Sequence, residues 1–146
     1  MARYSVAGRS TVVGTAARAI ASLFAAAAVR GVLREVGIFN TTTTATAATL
    51  ARFTAATNVG AGLTEAQHDN SAVAPSCTGF AGHTGDGTVG AILRQAALGA
   101  AIGSGVIWTF GGEGIIIPAG TANGIGVICP SGVTGQILDY YYEWEE

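Results

Sequence analysis

Lysine is missing from this 146-residue sequence, and charged residues of any kind make up only 11% of it. The seven basic residues are all arginines, and nine acidic residues bring the formal net charge to −2. Nucleic-acid binding draws on clustered lysine and arginine, so this composition argues against a nucleic-acid partner. The apolar fraction of 49% is too high for a disordered tail, and the length suits one compact domain.

Long apolar runs and cysteines are scarce as well. The apolar stretch near the N-terminus, residues 19–29, has eleven residues without a charge, about half of the ~20 that a membrane-spanning helix needs. Arg18 directly precedes this stretch and interrupts the only candidate apolar region of a signal peptide, so we expect neither a cleaved signal peptide nor a membrane partner. Cys77 and Cys129 are the only cysteines, and one pair makes no disulfide framework. We expect packed, reduced thiols, with a bond between the two left open.

Glycine, at 22 positions about twice its usual share of ~7%, separates short apolar runs at nearly regular intervals. Such runs at ~8–12-residue spacing predict an all-β antiparallel sandwich or barrel. Two alanine-rich stretches, residues 15–34 and 89–102, compete as helices, and we expect at most one short helix. The sequence of residues 57–90 predicts a long loop insertion, which either includes short strands or makes contacts with a partner. The predicted strands are residues 4–13, 18–24 (strand or helix), 30–40, 44–54, 88–98, 105–110, 115–117, 125–129 and 135–146.

Alternation along two of these strands predicts which side chains share a face. In residues 30–40, the even-numbered positions from Val32 to Ile38 share one face, Arg34 among them, and the odd-numbered positions share the other. The last predicted strand is dense in aromatic residues. Their large rings form either a wall of the core or an anchor in an interface, and both interpretations stay open. In that strand one face carries Leu138, Tyr140, Tyr142 and Trp144, and the other carries Asp139, Tyr141, Glu143 and Glu145.

Two patterns contain residue types that can carry chemistry. GDGTVG at residues 85–90 matches GxGxxG, but a loop precedes it, whereas the dinucleotide fingerprint follows a buried strand. Metal-binding residue types also lie close in sequence, namely His68, Asp69, Cys77, His83 and Asp86. These residues lack the tight pairs that are typical of zinc sites. We therefore expect a non-enzymatic protein and assign no catalytic residue, no cofactor and no metal.

Four segments carry a resemblance to known proteins: LREVGIFNTTTTATAATLARFT, GAGLTEAQHD, LGAAIGSGVIWTFGGEGIIIPAGTANGIGVICPSG and the closing GQILDYYYEWEE. Over residues 30–146 the chain resembles small structural proteins of tailed-phage and prophage virions, and the segment GIIIPAGTANGI resembles part of a jelly-roll subunit. The resemblance implies a jelly-roll capsid decoration (cement) protein, found in the virion after assembly in the host cytoplasm. The partners it implies are the major capsid protein and copies of the chain itself in a homotrimer. It brings no catalytic or ligand-binding residues with it.

Residues 1–14 are expected to form an N-terminal arm or edge strand, and residues 15–146 a single β-sandwich domain. An arm of this kind could add a strand to a neighbouring sheet. The candidate interface residues are Arg3, Tyr4, Arg9, Trp108, Tyr140, Tyr141, Tyr142 and Trp144.

Two other functions remain open at this point. A tail-fibre or baseplate module would bind a receptor or glycan through residues 57–90, with Trp108 or Tyr141 stacking on sugars. A metal-dependent hydrolase would use His68, His83 and Asp86.

Overall fold

The structure, a computed structural model, describes residues 1–10, 18–55, 58–130 and 137–146. Twelve β-strands and no helix occur in these residues, which confirms the all-β prediction. The helical alternatives are wrong where they are described, because their residues pair as β2, β3 and β8. Residues 11–17, 57 and 135–136 of the predicted segments lie outside the described residues. The strands are β1 (Arg3–Arg9), β2 (Ala19–Phe24), β3 (Gly31–Asn40), β4 (Thr46–Phe53), β5 (Ala61–Gly62), β6 (Ala66–Gln67), β7 (Thr78–Ala81), β8 (Val89–Leu98), β9 (Gly105–Thr109), β10 (Ile115–Ile117), β11 (Gly124–Ile128) and β12 (Leu138–Glu145).

The strands form two six-stranded antiparallel sheets, packed as a sandwich. In the first sheet β9 and β10 both pair with one side of β3, and β12, β1 and β6 follow on its other side. In the second sheet the order is β5-β7-β2-β11-β4-β8. The chain alternates between the sheets from β1 to β4, and later β11 returns between β2 and β4 while β12 returns between β1 and β3. This interleaving is the strand order of a jelly roll.

The core lies between the two sheets, and β12 supplies its largest side chains. The side chains of β12 alternate strictly between buried and half-exposed, as its sequence predicts. Tyr142 and Trp144 are completely buried, and the Tyr142 hydroxyl donates a 2.9 Å hydrogen bond to the Ala21 carbonyl in the opposite sheet. Burial of each such ring contributes roughly 1.5–3 kcal/mol, so this one strand holds much of the sandwich together.

A β-bulge in β3 changes which of its side chains face the core. The register against β12 shifts by one residue at Arg34. Leu33 and Val36 are consequently both fully buried, although one is odd-numbered and the other even-numbered. The prediction that even-numbered positions from Val32 to Ile38 share one face is therefore wrong across the bulge, because a bulge reverses the alternation of a strand.

The insertion at residues 58–90 contains β5, β6 and β7, which confirms that it includes short strands. β6 extends the first sheet beside β1, and β7 extends the second sheet beside β2. Phe80 of β7 packs on Phe24 of β2, whose ring also contacts Phe53 of β4. These rings belong to a second, smaller core that is separate from the one between the sheets.

β1 is a strand of the first sheet of its own chain. All seven of its residues pair with β12, and two of them also pair with β6. Residues 3–9 therefore do not reach away from the domain as an arm, because all seven pair with β12 of the same chain. Residues 11–14 of the expected arm lie outside the described residues. No helix in the described ranges is long and apolar enough to cross a membrane.

Candidate interaction surfaces

Four of the eight candidate interface residues lie in the core instead of on the surface. Tyr4, Tyr140, Tyr142 and Trp144 are at most 3% exposed. The even-numbered positions of β12 face the second sheet, and Tyr4 packs on Trp144 with ring centroids 5.8 Å apart. The prediction that these four form subunit contacts is therefore wrong, because the folded chain itself covers their rings.

The arginines among the candidates lie on the outer face of the first sheet. Arg3 pairs with Glu143 at 2.5 Å, and Arg9 pairs with Asp139 at 2.6 Å. The hydrogen bond from Arg9 lowers the pKa of Asp139. Exposed ion pairs of this kind add little to stability, so they serve mainly to match charges along the sheet. Trp108 is half-buried at the margin of the main core and offers only part of its ring.

Tyr141 and Phe39 form a flat aromatic surface on the same outer face. The Tyr141 ring covers Gly37, its direct partner across the strands, and the two rings stack at 6.4 Å with 23° between their planes. The Tyr141 hydroxyl donates a 2.7 Å hydrogen bond to Glu35, and burial together with this bond raises the pKa of Tyr141. Ile107 of β9 pairs with Gly37 from the other side and is 53% exposed. We call Phe39, Tyr141 and Ile107 the aromatic platform.

The aromatic platform depends on two glycines. A Cβ at Gly37 would lie 2.5 Å from Tyr141 Cζ, and a Cβ at Gly105 would lie 3.0 Å from Phe39 Cε1. Each ring therefore occupies the space that a side chain on the neighbouring strand would take. Aromatic rings that cover cross-strand glycines in this way stabilise sheets that would otherwise lack side-chain contacts there.

The residues of the hydrolase hypothesis lie apart. His68 follows β6 and donates its backbone N–H to Arg3 in the first sheet, whereas His83 packs on the second sheet. Asp86 forms a 3.5 Å ion pair with Arg18. Within the described ranges no three histidine, cysteine, aspartate or glutamate side chains are grouped closely enough to hold a metal ion.

His83 is the one buried histidine in the described part of the chain. It is 1% exposed, and its Nε2 lies 2.7 Å from the Ser22 hydroxyl, which is also fully buried. The imidazole packs near the rings of Phe24 and Phe53, at 6.5 and 6.2 Å. Burial lowers the pKa of His83, so the ring is neutral in the folded protein at neutral pH. This pair is closed to solvent, and it anchors the segment after β7 to the second sheet.

Both cysteines are free and buried, as the sequence predicts. Burial, reinforced by the nearby Glu146 carboxylate, raises the pKa of Cys77 to about 12. Burial also raises the pKa of Cys129. Neither thiol is set up as a nucleophile, because only the thiolate reacts.

The GDGTVG segment at residues 85–90 leads from a loop into β8, so it lacks the strand-to-helix context of a dinucleotide site. Gly87 is required for packing instead, since a Cβ there would lie 2.5 Å from the Phe53 ring. A half-open cavity of about 320 Å³ lies elsewhere on the second sheet, with Phe24 and Phe80 in its wall.

Sequence reasoning missed most of the exposed surface that the fold creates. Phe39, Ile107 and Glu35 were not among the candidates, although Tyr141 was. The available signal was the combination of a glycine in one strand with an aromatic residue in another, but its meaning depends on the strand register. Ile92 in β8 was also missed, and its side chain is 62% exposed.

No family model matches the chain, and comparisons with curated proteins and with solved structures found no significant match.

Proposed function

We propose that the chain is a non-enzymatic structural protein of a phage virion, and that it stabilises the capsid as a homotrimeric decoration protein bound to the major capsid protein. The observation that carries the proposal is the jelly-roll strand order, an architecture that viral capsid domains use. The second support is the resemblance of residues 30–146 to small virion proteins, which rests on the sequence alone.

The surface is compatible with close packing beside other subunits. The formal net charge is only −2, so copies placed side by side repel one another weakly. The two sheets offer outer faces of different chemistry, one with ion pairs and an aromatic platform, the other with a small apolar core to which the insertion contributes Val59 and Phe80. Large apolar side chains remain exposed on β8 and β9, where a partner would bury them.

Immunogold labelling of virions with an antibody against the purified chain tests the proposal. The phage or induced prophage that encodes the chain supplies the particles, and mass spectrometry of those particles checks that the chain is present. We expect label distributed over the head and a copy number that follows the capsid lattice. Particles that lack the chain would refute a virion role, and label confined to the tail would refute the decoration role.

A second candidate function is favoured by the aromatic platform. A tail-fibre or baseplate module that binds glycans would stack a sugar ring on Tyr141 and Phe39, with the Glu35 carboxylate beside Tyr141 to accept hydrogen bonds. Glycan-array binding followed by calorimetry would test it. We expect Tyr141→Ala to abolish any binding in this case, while the distant Val73→Ala leaves it unchanged.

A further inference from the structure

β8 is unusually exposed for a strand of its length. It has ten residues and pairs only with β4, at the end of the second sheet. Both of its faces are largely open to solvent, and Leu98 is its only buried residue. The other strands at the sheet ends have two, two, three and five residues, namely β5, β6, β10 and β9. Natural proteins usually shorten, charge or cover such edges.

The exposed surface of β8 continues into the turn that follows it. Ile92 in β8 and Ile102 in the turn are 62% and 70% exposed. The turn is joined to the first sheet by backbone hydrogen bonds of Asn40 with Gly103 and Ser104. Residues 89–104, which we call the β8–β9 flank, contain one charged side chain, Arg94, and no proline. Exposed isoleucines among so few charges are typical of a surface that another protein covers.

The flank is built for side-chain packing and not for strand addition. The pairing of β8 with β4 shifts register twice, between Leu50 and Ala51 and between Ala51 and Phe53. Such irregularities twist an edge and disrupt the regular ladder that an added strand would need. A partner would therefore cover the isoleucines with its own side chains.

Charge distinguishes between possible partner surfaces. The Arg94 guanidinium lies 5.4 Å from the Phe110 ring and donates to the Leu93 carbonyl of its own strand, and no described carboxylate pairs with it. If two flanks packed on each other about a two-fold axis, they would bring two arginines together and supply no acid. The flank therefore favours a different, acidic surface.

The outer face of the first sheet offers that acid. Three of its carboxylates are matched by arginines of the same face, in the pairs Arg3–Glu143, Arg9–Asp139 and Arg34–Glu145. Glu35 has no arginine partner among the described residues and accepts only from the hydroxyls of Tyr141 and Thr109. This face thus carries one uncompensated negative charge beside the apolar surface of the aromatic platform.

We propose that the β8–β9 flank of one copy packs against the outer face of the first sheet of a second copy, with Arg94 of one chain next to Glu35 of the other. The isoleucines of the flank then cover the aromatic platform, and Arg94 and Glu35, which form no ion pair among the described residues of the single chain, pair with each other across the contact. Two different surfaces make a head-to-tail contact, which repeats from copy to copy until the ring closes. The inference rests on the proposed function only for the number of copies, which is three.

Light scattering coupled to size-exclusion chromatography tests the contact on the full chain across a dilution series. We expect the wild-type chain to run with the mass of three copies. Ile92→Asp would place a charge in the contact and should weaken association at least about a hundredfold, leaving a folded monomer. Val73→Asp is the matched control, because Val73 is 82% exposed outside the flank, and it should keep the wild-type mass.

A charge exchange tests the pairing of Arg94 with Glu35. Arg94→Glu alone should weaken association by about tenfold or more, because two carboxylates would then face each other. The double variant Arg94→Glu with Glu35→Arg should recover most of that loss. Circular dichroism on each variant checks that the fold is kept.

Several results would overturn the inference. These are a monomeric wild-type chain, a two-fold dimer, an Ile92→Asp variant with the wild-type mass, or a double variant weaker than Arg94→Glu. None of them bears on whether virions contain the chain, which immunogold labelling decides separately. Label on heads with a monomeric pure chain would refute the contact between copies and leave the decoration role in place.

Discussion

Replacing Gly37 by alanine tests whether the aromatic platform depends on the missing side chain at that position. The new Cβ would lie 2.5 Å from Tyr141 Cζ and 2.7 Å from Cδ1, closer than Cβ atoms approach other heavy atoms in proteins. The neighbouring backbone is held in the sheet by β12 and β9, so the ring has to move. Gly37→Ala should therefore expel Tyr141 from its place over β3.

The cost follows from the contacts that Tyr141 makes. Its hydrogen bond to the Glu35 carboxylate is worth ~1.5–3 kcal/mol, and its stack on Phe39 is worth ~0.5–1.5 kcal/mol. Alanine restores ~0.4–1 kcal/mol by restricting the unfolded chain. We expect the free energy of unfolding to fall by about 1–4 kcal/mol in Gly37→Ala, measured by denaturant unfolding.

Gly62 provides the matched control, because it also lies in a strand but has no atom within 4 Å of its would-be Cβ. Gly62→Ala should leave the unfolding free energy unchanged or raise it slightly. A second measurement is the absorbance titration of the tyrosines, in which the raised pKa of Tyr141 should fall in Gly37→Ala. Equal stability of the wild type and both alanine variants would refute the reasoning.

Three further predictions concern buried polar groups. Burial lowers the pKa of His83, so the unfolded chain binds a proton that the folded chain does not; stability should be full above pH ~6.5 and fall below it by up to ~1.4 kcal/mol per pH unit. Denaturant unfolding at pH 7 and 5 should show this loss in the wild type and in His68→Gln but not in His83→Phe, and an unchanged loss in His83→Phe would contradict it. Asn40→Ala removes four hydrogen bonds from a fully buried side chain and should lower the unfolding free energy by about 2–5 kcal/mol, measured by calorimetry. A loss within the error of the calorimeter would show that water replaces these hydrogen bonds. Cys77 and Cys129 should react with a thiol reagent only after unfolding, because burial raises the pKa of both, and rapid labelling of the folded protein would show that they are accessible.

The positions of the strands were largely predictable because glycine-containing turns end them. β10 coincides with the predicted segment at residues 115–117, β9 ends one residue earlier than predicted, and β11 begins and ends one residue earlier than predicted. The turn before β10 carries Gly112 and Gly114 with positive φ and the turn after it carries Gly120, also with positive φ, a conformation that side chains rarely adopt. The residue preferences of a turn depend on its local backbone conformation, so a single sequence is enough to predict where the turn lies.

The face of the sheet on which each side chain lies was predictable only where side chains alternate between the two faces without a break. β12 has no irregular residue between Leu138 and Glu143, and its two faces follow the sequence. In β3 the bulge at Arg34 reverses the alternation, and nothing in the local sequence marks it, because a bulge is a property of the pairing with β12.

The contact surface was the least predictable part. From the sequence, the aromatic residues of β12 are interface candidates as well as core candidates, because ring density alone does not distinguish a core wall from an interface anchor. The aromatic platform exists because Gly37 and Tyr141 become direct neighbours across two strands, although 104 positions separate them in the chain. Such pairs become visible only when the strand order is known.

The place of β12 between β1 and β3 has a consequence for how the chain folds. β12 follows the other eleven described strands in the sequence, yet it joins the two halves of the first sheet, with Arg3 paired to Glu145 and Leu138 paired to Asn40. Until the ribosome has released these residues, β1 and β3 have no strand between them and the core lacks Tyr142 and Trp144. Folding should therefore be slow and cooperative, with the first sheet forming only after β12 has left the ribosome.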